Sequence, residues 1–225
     1  MTKYYYSMQR CIKHIVLLLA LATCLPWPLS LEGKDNYDIY DLSLDENLET
    51  PEIKNDKQAD KIQDFQYDMA VAFKKSNYEV EVMRDNEVIV VTIPASELFD
   101  ANDTVLTSIG EERLKPFLRM IKNPGFYKML LVMHSDNTGS ETYTLNLTRQ
   151  RVNAIFDWFD ENGSVDYVVP YALGETDPLV DNNSVENRKR NRRLEIFLVP
   201  EKTMIQQAKK GNINITHIAK EKSTH

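Results

Sequence analysis

Along KQADKIQDFQYDMAVAFKKS, residues 57–76, apolar side chains return at Ile62, Phe65, Met69, Ala72 and Phe73. That three-and-four spacing predicts a helix with one inward face. The period then changes to two. YEVEVMR (78–84) and EVIVVTIP (87–94) place β-branched residues at alternate positions on either side of Asp85-Asn86, predicting two strands joined by a two-residue turn. Helical spacing resumes after the loop ASELFDANDTVL (95–106), in TSIGEERLKPFLRMIKN (107–123), with Leu114, Phe117, Leu118 and Ile121 inward. FYKMLLVM (126–133) predicts a buried strand, TYTLNLTRQRVNAIFDWFDENG (142–163) a second helix, VDYVVPYAL (165–173) a further strand and RRLEIFLV (192–199) the last. A polar loop, GETDPLVDNNSVENRKR (174–190), joins these last two.

A βαβαβ run followed by another strand implies an open sheet with helices packed on it, in the α/β (α+β) class. Pro170 cannot donate to a sheet ladder, which demotes its strand to an edge. The chain has 225 residues, 42% of them hydrophobic, enough for one globular domain with flanking segments. Its net charge of −7 argues against a nucleic-acid partner, since neutralising phosphates needs a surplus of Lys and Arg. The basic run RKRNRR (188–193) reads as a solvated turn and strand start.

The N-terminus carries Lys3, Arg10 and Lys13 ahead of an apolar stretch from Ile15 to Leu25, closed by Pro26 and Pro28. This is the pattern of an export signal, taken as residues 1–30, and it is shorter than the roughly 20 apolar residues that span a bilayer. LATC, ending at Cys24, resembles a bacterial lipobox, with Thr23 departing from the usual small residue. Either Cys24 bears lipid or ordinary cleavage falls between Thr23 and Gly33. Both cysteines lie in this leader, so no disulfide, cysteine nucleophile or cysteine metal site is expected in the folded part. Residues 31–56 are acidic with little apolar periodicity and read as a tether. The segment after Pro200, residues 201–225, reads as a polar tail that frays.

The strand at 126–133 runs into a polar loop with Asp136 at its C-terminal end, where ligands bind in open α/β sheets. On the following helix, Leu145, Val152, Ile155, Phe156 and Phe159 form the apolar stripe. At 100° per residue Arg151 lies about 90° to one side of it and Arg149 about 70° to the other. A carboxylate and a guanidinium across one loop make a receptor for a group bearing both an ammonium and a carboxylate. A plain Asp136–Arg salt bridge is the other reading, and periodicity does not choose between the arginines. As a receptor, both charged groups would stay solvated at the loop mouth.

HSDNTGSETYTLNLTRQRVNAIFDWF (134–159) resembles the OmpA-like C-terminal domain, with its G-H-T-D-x-x-G-S loop and Y-N-x-x-L-S-x-x-R-A helix start. LGETDPLVDNN (173–183) is similar to that family's G-x-G-E-x-x-P-x-x-x-N loop, NRRLEIFL (191–198) to its N-R-R-V-E-I strand, and LFDANDTVL (98–106) to its opening F-D-x-x-x-x-x-L segment. The match covers residues 88–200. The helix at 57–76 and the hairpin strand, residues 57–87, form an extension to the family's βαβαβ-β arrangement of a mixed sheet with helices on it.

The resemblance implies noncovalent peptidoglycan binding through the diaminopimelate of the stem peptide. Asp136 would meet the ammonium and Arg151 the carboxylate, with Asp100, Asn137 and Arg192 lining the pocket. Ser135 replaces the usual Thr, Met133 stands where Gly is frequent, and Thr144 replaces the usual Asn, losing an amide that can hold the ligand. It further implies a periplasmic protein associated with the outer membrane, without cofactor or enzymatic activity, tied to the membrane if Cys24 is lipidated and open to envelope protein partners. Two other roles compete. A secreted wall hydrolase would have to work with His134, the one histidine of the four outside leader and tail, which reads as a loop residue bonded to backbone. A stator-type anchor would need a spanning helix with an internal carboxylate. No second histidine or cysteine lies at metal-ligand spacing.

Overall fold

The computed structural model describes residues 38–215. Five strands form one mixed sheet: β1 (Glu79–Met83), β2 (Val88–Pro94), β3 (Tyr127–His134), β4 (Val168–Gly174) and β5 (Arg193–Pro200), in the order β1-β2-β5-β3-β4. All neighbours are antiparallel except β3 and β4. A parallel pair needs a crossover, and the helix at Glu141–Asn162 supplies it. Pro170 lies on the edge strand β4, opposite Leu131, where its missing N–H costs the ladder nothing. The fold is α+β, as the sequence pattern predicts.

Every residue of β3 and β5 is buried, because the sheet is covered on both faces. Alternate side chains divide between two cores. Met129, Leu131, Met133, Ile196 and Leu198 pack against Ile62 and Phe73 of the helix Asp56–Lys75 and against Val152, Ile155 and Phe159 of Glu141–Asn162. Leu130, Val132, Phe197 and Val199 face the opposite way, against Ile39, Leu44 and Leu48.

In chain order the helices are α1 (Leu44–Glu49), α2 (Asp56–Lys75), α3 (Ser108–Leu114), α4 (Leu118–Ile121), α5 (Glu141–Asn162), α6 (Val185–Asn191) and α7 (Lys202–Lys210). The helix expected over 107–123 is interrupted by a 3-10 turn at Lys115–Phe117, where Pro116 has no N–H to donate. Leu114, Phe117 and Ile121 still face the core.

Four expectations are corrected. Residues 38–53 are a strap across the second sheet face, not a free tether. The acidic side chains hide a short apolar set, Ile39, Leu44 and Leu48, and Ser43 closes a capping box with Glu46 at the start of α1. Buried Asn47 donates to the Ile39 carbonyl at 2.7 Å and to the Tyr171 hydroxyl at 2.6 Å. The Nζ of Lys128 on β3 donates to the Thr50 carbonyl at the end of α1 at 2.6 Å. The β1–β2 connection spans Arg84 to Glu87, since Met83 pairs with Val88; Arg84, Asp85 and Asn86 all take left-handed backbone, so the turn is longer than two residues. Beyond Pro200 the chain forms α7, whose Met204 and Ala208 are buried. The loop expected over 174–190 contains most of α6, begun by Ser184 accepting from the Asn187 amide. The features expected in residues 1–37, the export signal and Cys24 among them, and in 216–225 lie outside the described residues.

If the strap is an integral part of the fold, Asn47→Ala will lose two buried hydrogen bonds and destabilise the protein by about 1–3 kcal/mol. Urea or thermal denaturation measures this; a free tether would show no change.

Candidate functional site

The site lies at the C-terminal ends of the parallel strands β3 and β4. The Ser135 amide donates to the Gly174 carbonyl at 2.7 Å, joining the loops that leave the two strands. Gly174 has φ +54°, and a Cβ there would stand 3.0 Å from the Leu145 amide nitrogen. Its own amide donates to the Thr148 hydroxyl at 3.1 Å. Only glycine lets the first turns of α5 sit this close to the strand end, and that approach sets the position of Arg151.

Asp136 is 2% exposed. Its Oδ1 accepts from the Thr138 amide at 2.8 Å, and its Oδ2 accepts from Arg192 Nη1. Burial pushes the carboxyl pKa up, but the bonds from Thr138 and Arg192 outweigh it and hold the group below the usual carboxylate range. The ion-pair partner of Asp136 is thus Arg192, rather than the Arg149 or Arg151 offered by helical spacing.

Arg151 is 5% exposed. Its Nε donates to the Asp103 carbonyl at 2.8 Å, its Nη2 to the Asp100 carbonyl at 3.2 Å, and its guanidinium lies 5.0 Å from the centroid of the Phe99 ring. Burial lowers its pKa, and the Arg192 charge contributes in the same direction. Arg149 is exposed on the other side of the helix. The expectation of two charged groups solvated at a loop mouth is therefore corrected: both Asp136 and Arg151 are buried and held by bonds within the protein.

Of the other predicted residues, Asp100 and Asn137 are exposed on the loops beside these groups, and Arg192 is half-buried where α6 ends and β5 begins. Asp100 meets Arg151 through its backbone carbonyl. Thr144 is buried with its hydroxyl donating to the Glu141 carbonyl at 3.0 Å, and so is engaged with its own helix. The run RKRNRR does start a strand, β5, but its first part is the end of α6 rather than a turn, with Lys189 and Arg190 exposed. Arg192 covers Asp136, and Arg193 is buried with Nε donating to Glu195 Oε1 at 2.8 Å.

Sequence reasoning missed the scaffold beneath the site. His134 is buried and lies 3.1 Å from Glu195 Oε2 through Nε2, so it meets a carboxylate and not backbone. Asn191, fully buried, accepts from the Val180 amide at 3.0 Å and donates to the Val180 carbonyl at 2.8 Å, latching the loop after β4. The available signal was polar residues interrupting strands that are otherwise wholly apolar. Among the described residues no group of three or more His, Cys, Asp and Glu could hold a metal ion.

No family model matches the chain. Over 122 residues it is 25% identical to YiaD of Escherichia coli, a probable lipoprotein, covering 54% of this chain and 56% of that one. It is 36% identical over 66 residues to the peptidoglycan-binding protein ArfA of Mycobacterium tuberculosis, covering 29% and 20% of the two chains. Outer membrane protein A of Bordetella avium is 24% identical over 110 residues, 48% of this chain and 57% of that one. The chain thus spans little more than half the length of these relatives at most. Among solved structures, the cell wall anchor of the type VI secretion system of Pseudomonas aeruginosa is 26% identical, with TM-score 0.50, covering 59% of this chain and 94% of that one. A MotB-like protein of Desulfovibrio vulgaris shares the fold at TM-score 0.56 and 22% identity, covering 64% and 99%. Motif order, sheet topology and these likenesses agree in an OmpA-like domain.

Proposed function

We propose that the protein binds peptidoglycan noncovalently and holds an envelope component to the cell wall. In this reading Asp136 receives the ammonium of the stem-peptide diaminopimelate and Arg151 its carboxylate. One observation carries it: a buried, ionised carboxylate just past the end of β3 and a buried guanidinium on α5, held by the Asp100–Asp103 loop, both feel the charge of the half-buried Arg192. The names of ArfA and of the secretion-system anchor, which refer to peptidoglycan and cell wall, support it. The fit to the MotB-like structure bears on the fold alone. A stator-type anchor would use the same wall-binding site and differ in what the N-terminal segment holds.

Each charge-assisted contact is worth roughly 1.5–3 kcal/mol. Arg151 is fixed before the ligand arrives, so little side-chain entropy is lost on binding. A hydrolase is the weaker reading, because His134 is buried and bonded to Glu195, where it cannot serve a nucleophile at the surface. The export pattern supports a periplasmic location, and outer-membrane association through Cys24 is part of the proposal.

The purified protein should sediment with insoluble peptidoglycan and release no soluble muropeptides from it. Because both groups are buried, the informative variants are those that keep their shape. Asp136→Asn and Arg151→Lys should lose sedimentation at least tenfold, while Arg149→Ala retains it. Thermal melts of each variant separate lost contact from lost fold. Wild-type sedimentation by both folded variants would refute the site, and muropeptide release that depends on His134 would establish the hydrolase.

The depressed carboxyl of Asp136 fixes the sign of the pH response. The folded-state pKa lies below its unfolded value, so the ionised form, with the stability and binding it supports, is present above the unfolded value and lost as pH falls through the folded one. Binding of a soluble diaminopimelate stem peptide, followed by calorimetry, should stay level from pH 7 to about 4.5 and fall only below the usual carboxylate range near 4.

Lipidation is tested at Cys24. Cys24→Ser should move the protein from the membrane to the soluble periplasmic fraction, and mass spectrometry of the mature N-terminus should find acyl chains on Cys24 in the wild type. A wild-type N-terminus beyond residue 24 would mean simple cleavage.

A further inference from the structure

The carboxylate assigned to the ligand's ammonium already holds a cation of the protein's own. Both oxygens of Asp136 are engaged, Oδ1 by the Thr138 amide and Oδ2 by Arg192. The two partners differ in access: the Asp136 side chain is 3% exposed, that of Arg192 38%. Arg192 can therefore swing into water, and Asp136 cannot follow. Arg151 contrasts with it, since two backbone carbonyls and the Phe99 ring fix its guanidinium. The charge of Arg192 bears on Arg151 as well as on Asp136, so the more mobile guanidinium acts on both groups.

We propose that Arg192 is an internal substitute for the ligand's ammonium and thereby a specificity-determining residue. It rests on Asp136 in the free protein, is displaced when the ammonium enters, and turns with Arg151 to the carboxylate beside that ammonium. This rests on the reading of Asp136 and Arg151 as the stem-peptide site, and adds how the site selects.

The selection follows from counting partners. An amine without a neighbouring carboxylate must break the Asp136–Arg192 pair and gives the released guanidinium only water. An amine with a carboxylate on the same carbon replaces both halves of the pair at once. The site therefore favours an α-amino-acid end over a bare amine, which is the difference between diaminopimelate and lysine at the same place in a stem peptide. Discrimination arises from a penalty built against the wrong ligand as well as from contacts to the right one. Apparent affinity is lowered by the fraction of molecules in which Asp136 is uncovered, and removing the competitor restores it.

The probes are two soluble tetrapeptides, L-Ala–γ-D-Glu–meso-diaminopimelate–D-Ala and its lysine counterpart, titrated against the exported chain by NMR or calorimetry. The wild type should bind the lysine peptide at least about tenfold more weakly. Arg192→Ala and Arg192→Gln, each checked for a wild-type melting temperature, should bind the lysine peptide roughly fivefold more tightly than the wild type, so that discrimination collapses. Unchanged or weaker lysine-peptide binding in both variants, with Asp136→Asn still abolishing binding of the diaminopimelate peptide, would leave the site standing and overturn the exchange. Binding of the diaminopimelate peptide that survives Asp136→Asn would overturn the site and the exchange together.

Discussion

Burial of β3 and β5 on both faces is the constraint from which the rest of the structure follows. A strand with no solvent side must pair every polar atom it carries. β5 nevertheless begins with Arg193 and Glu195, and β3 contains Lys128 and ends at His134. Each of these has a partner: Arg193 Nε and His134 Nε2 on the two oxygens of Glu195, and Lys128 on the carbonyl and hydroxyl of Thr50, the residue that closes α1. These pairs fix which loops and helices can lie at which end of the sheet. The polar strand end shared by β3 and β5 is therefore where a charged site can be built without further cost to the core.

Asp136 and Arg192 continue that network outward by one step. Arg193 points inward to Glu195 and Arg192 outward to Asp136, the alternation of adjacent residues at a strand start. One arginine is structural and its neighbour is half exposed at the mouth. The same alternation divides the apolar residues of β3 between two cores, so a single period of two governs both packing and the placing of charge.

What the sequence made legible follows the lengths of its elements. The long helices α2 and α5 and all five strands were readable because an apolar period or run needs several turns or pairs to declare itself. Asp136 at the strand end was readable too, as was Pro170 at the sheet edge. The strap, α6 and α7 were not. A helix of six to nine residues is unstable alone, and its pattern is too short to stand out from acidic or polar surroundings; tertiary contact, with Asn47, Asn191 and Met204 buried, decides it. Helical spacing left Arg149 and Arg151 equivalent, and only the approach of the Asp100–Asp103 loop separates them. The Asp136–Arg192 pair joins residues far apart in sequence, which no local period can reveal.

The exchange proposed at Asp136 would also bear on how tightly one site can hold. If a ligand ammonium replaces a guanidinium on the same carboxylate, one charge-assisted contact is lost for each one gained, so the net gain would come mainly from the carboxylate on Arg151 and the released Arg192. A few kcal/mol of net binding corresponds to a dissociation constant on the order of millimolar. For a free ligand that would be poor. If the partner is a wall that presents the same stem peptide many times to many copies, weak individual contacts would sum to a firm attachment and still let each one release. Selectivity does not suffer with affinity, because the cost of uncovering Asp136 falls on every ligand, and only one carrying both charges recovers it.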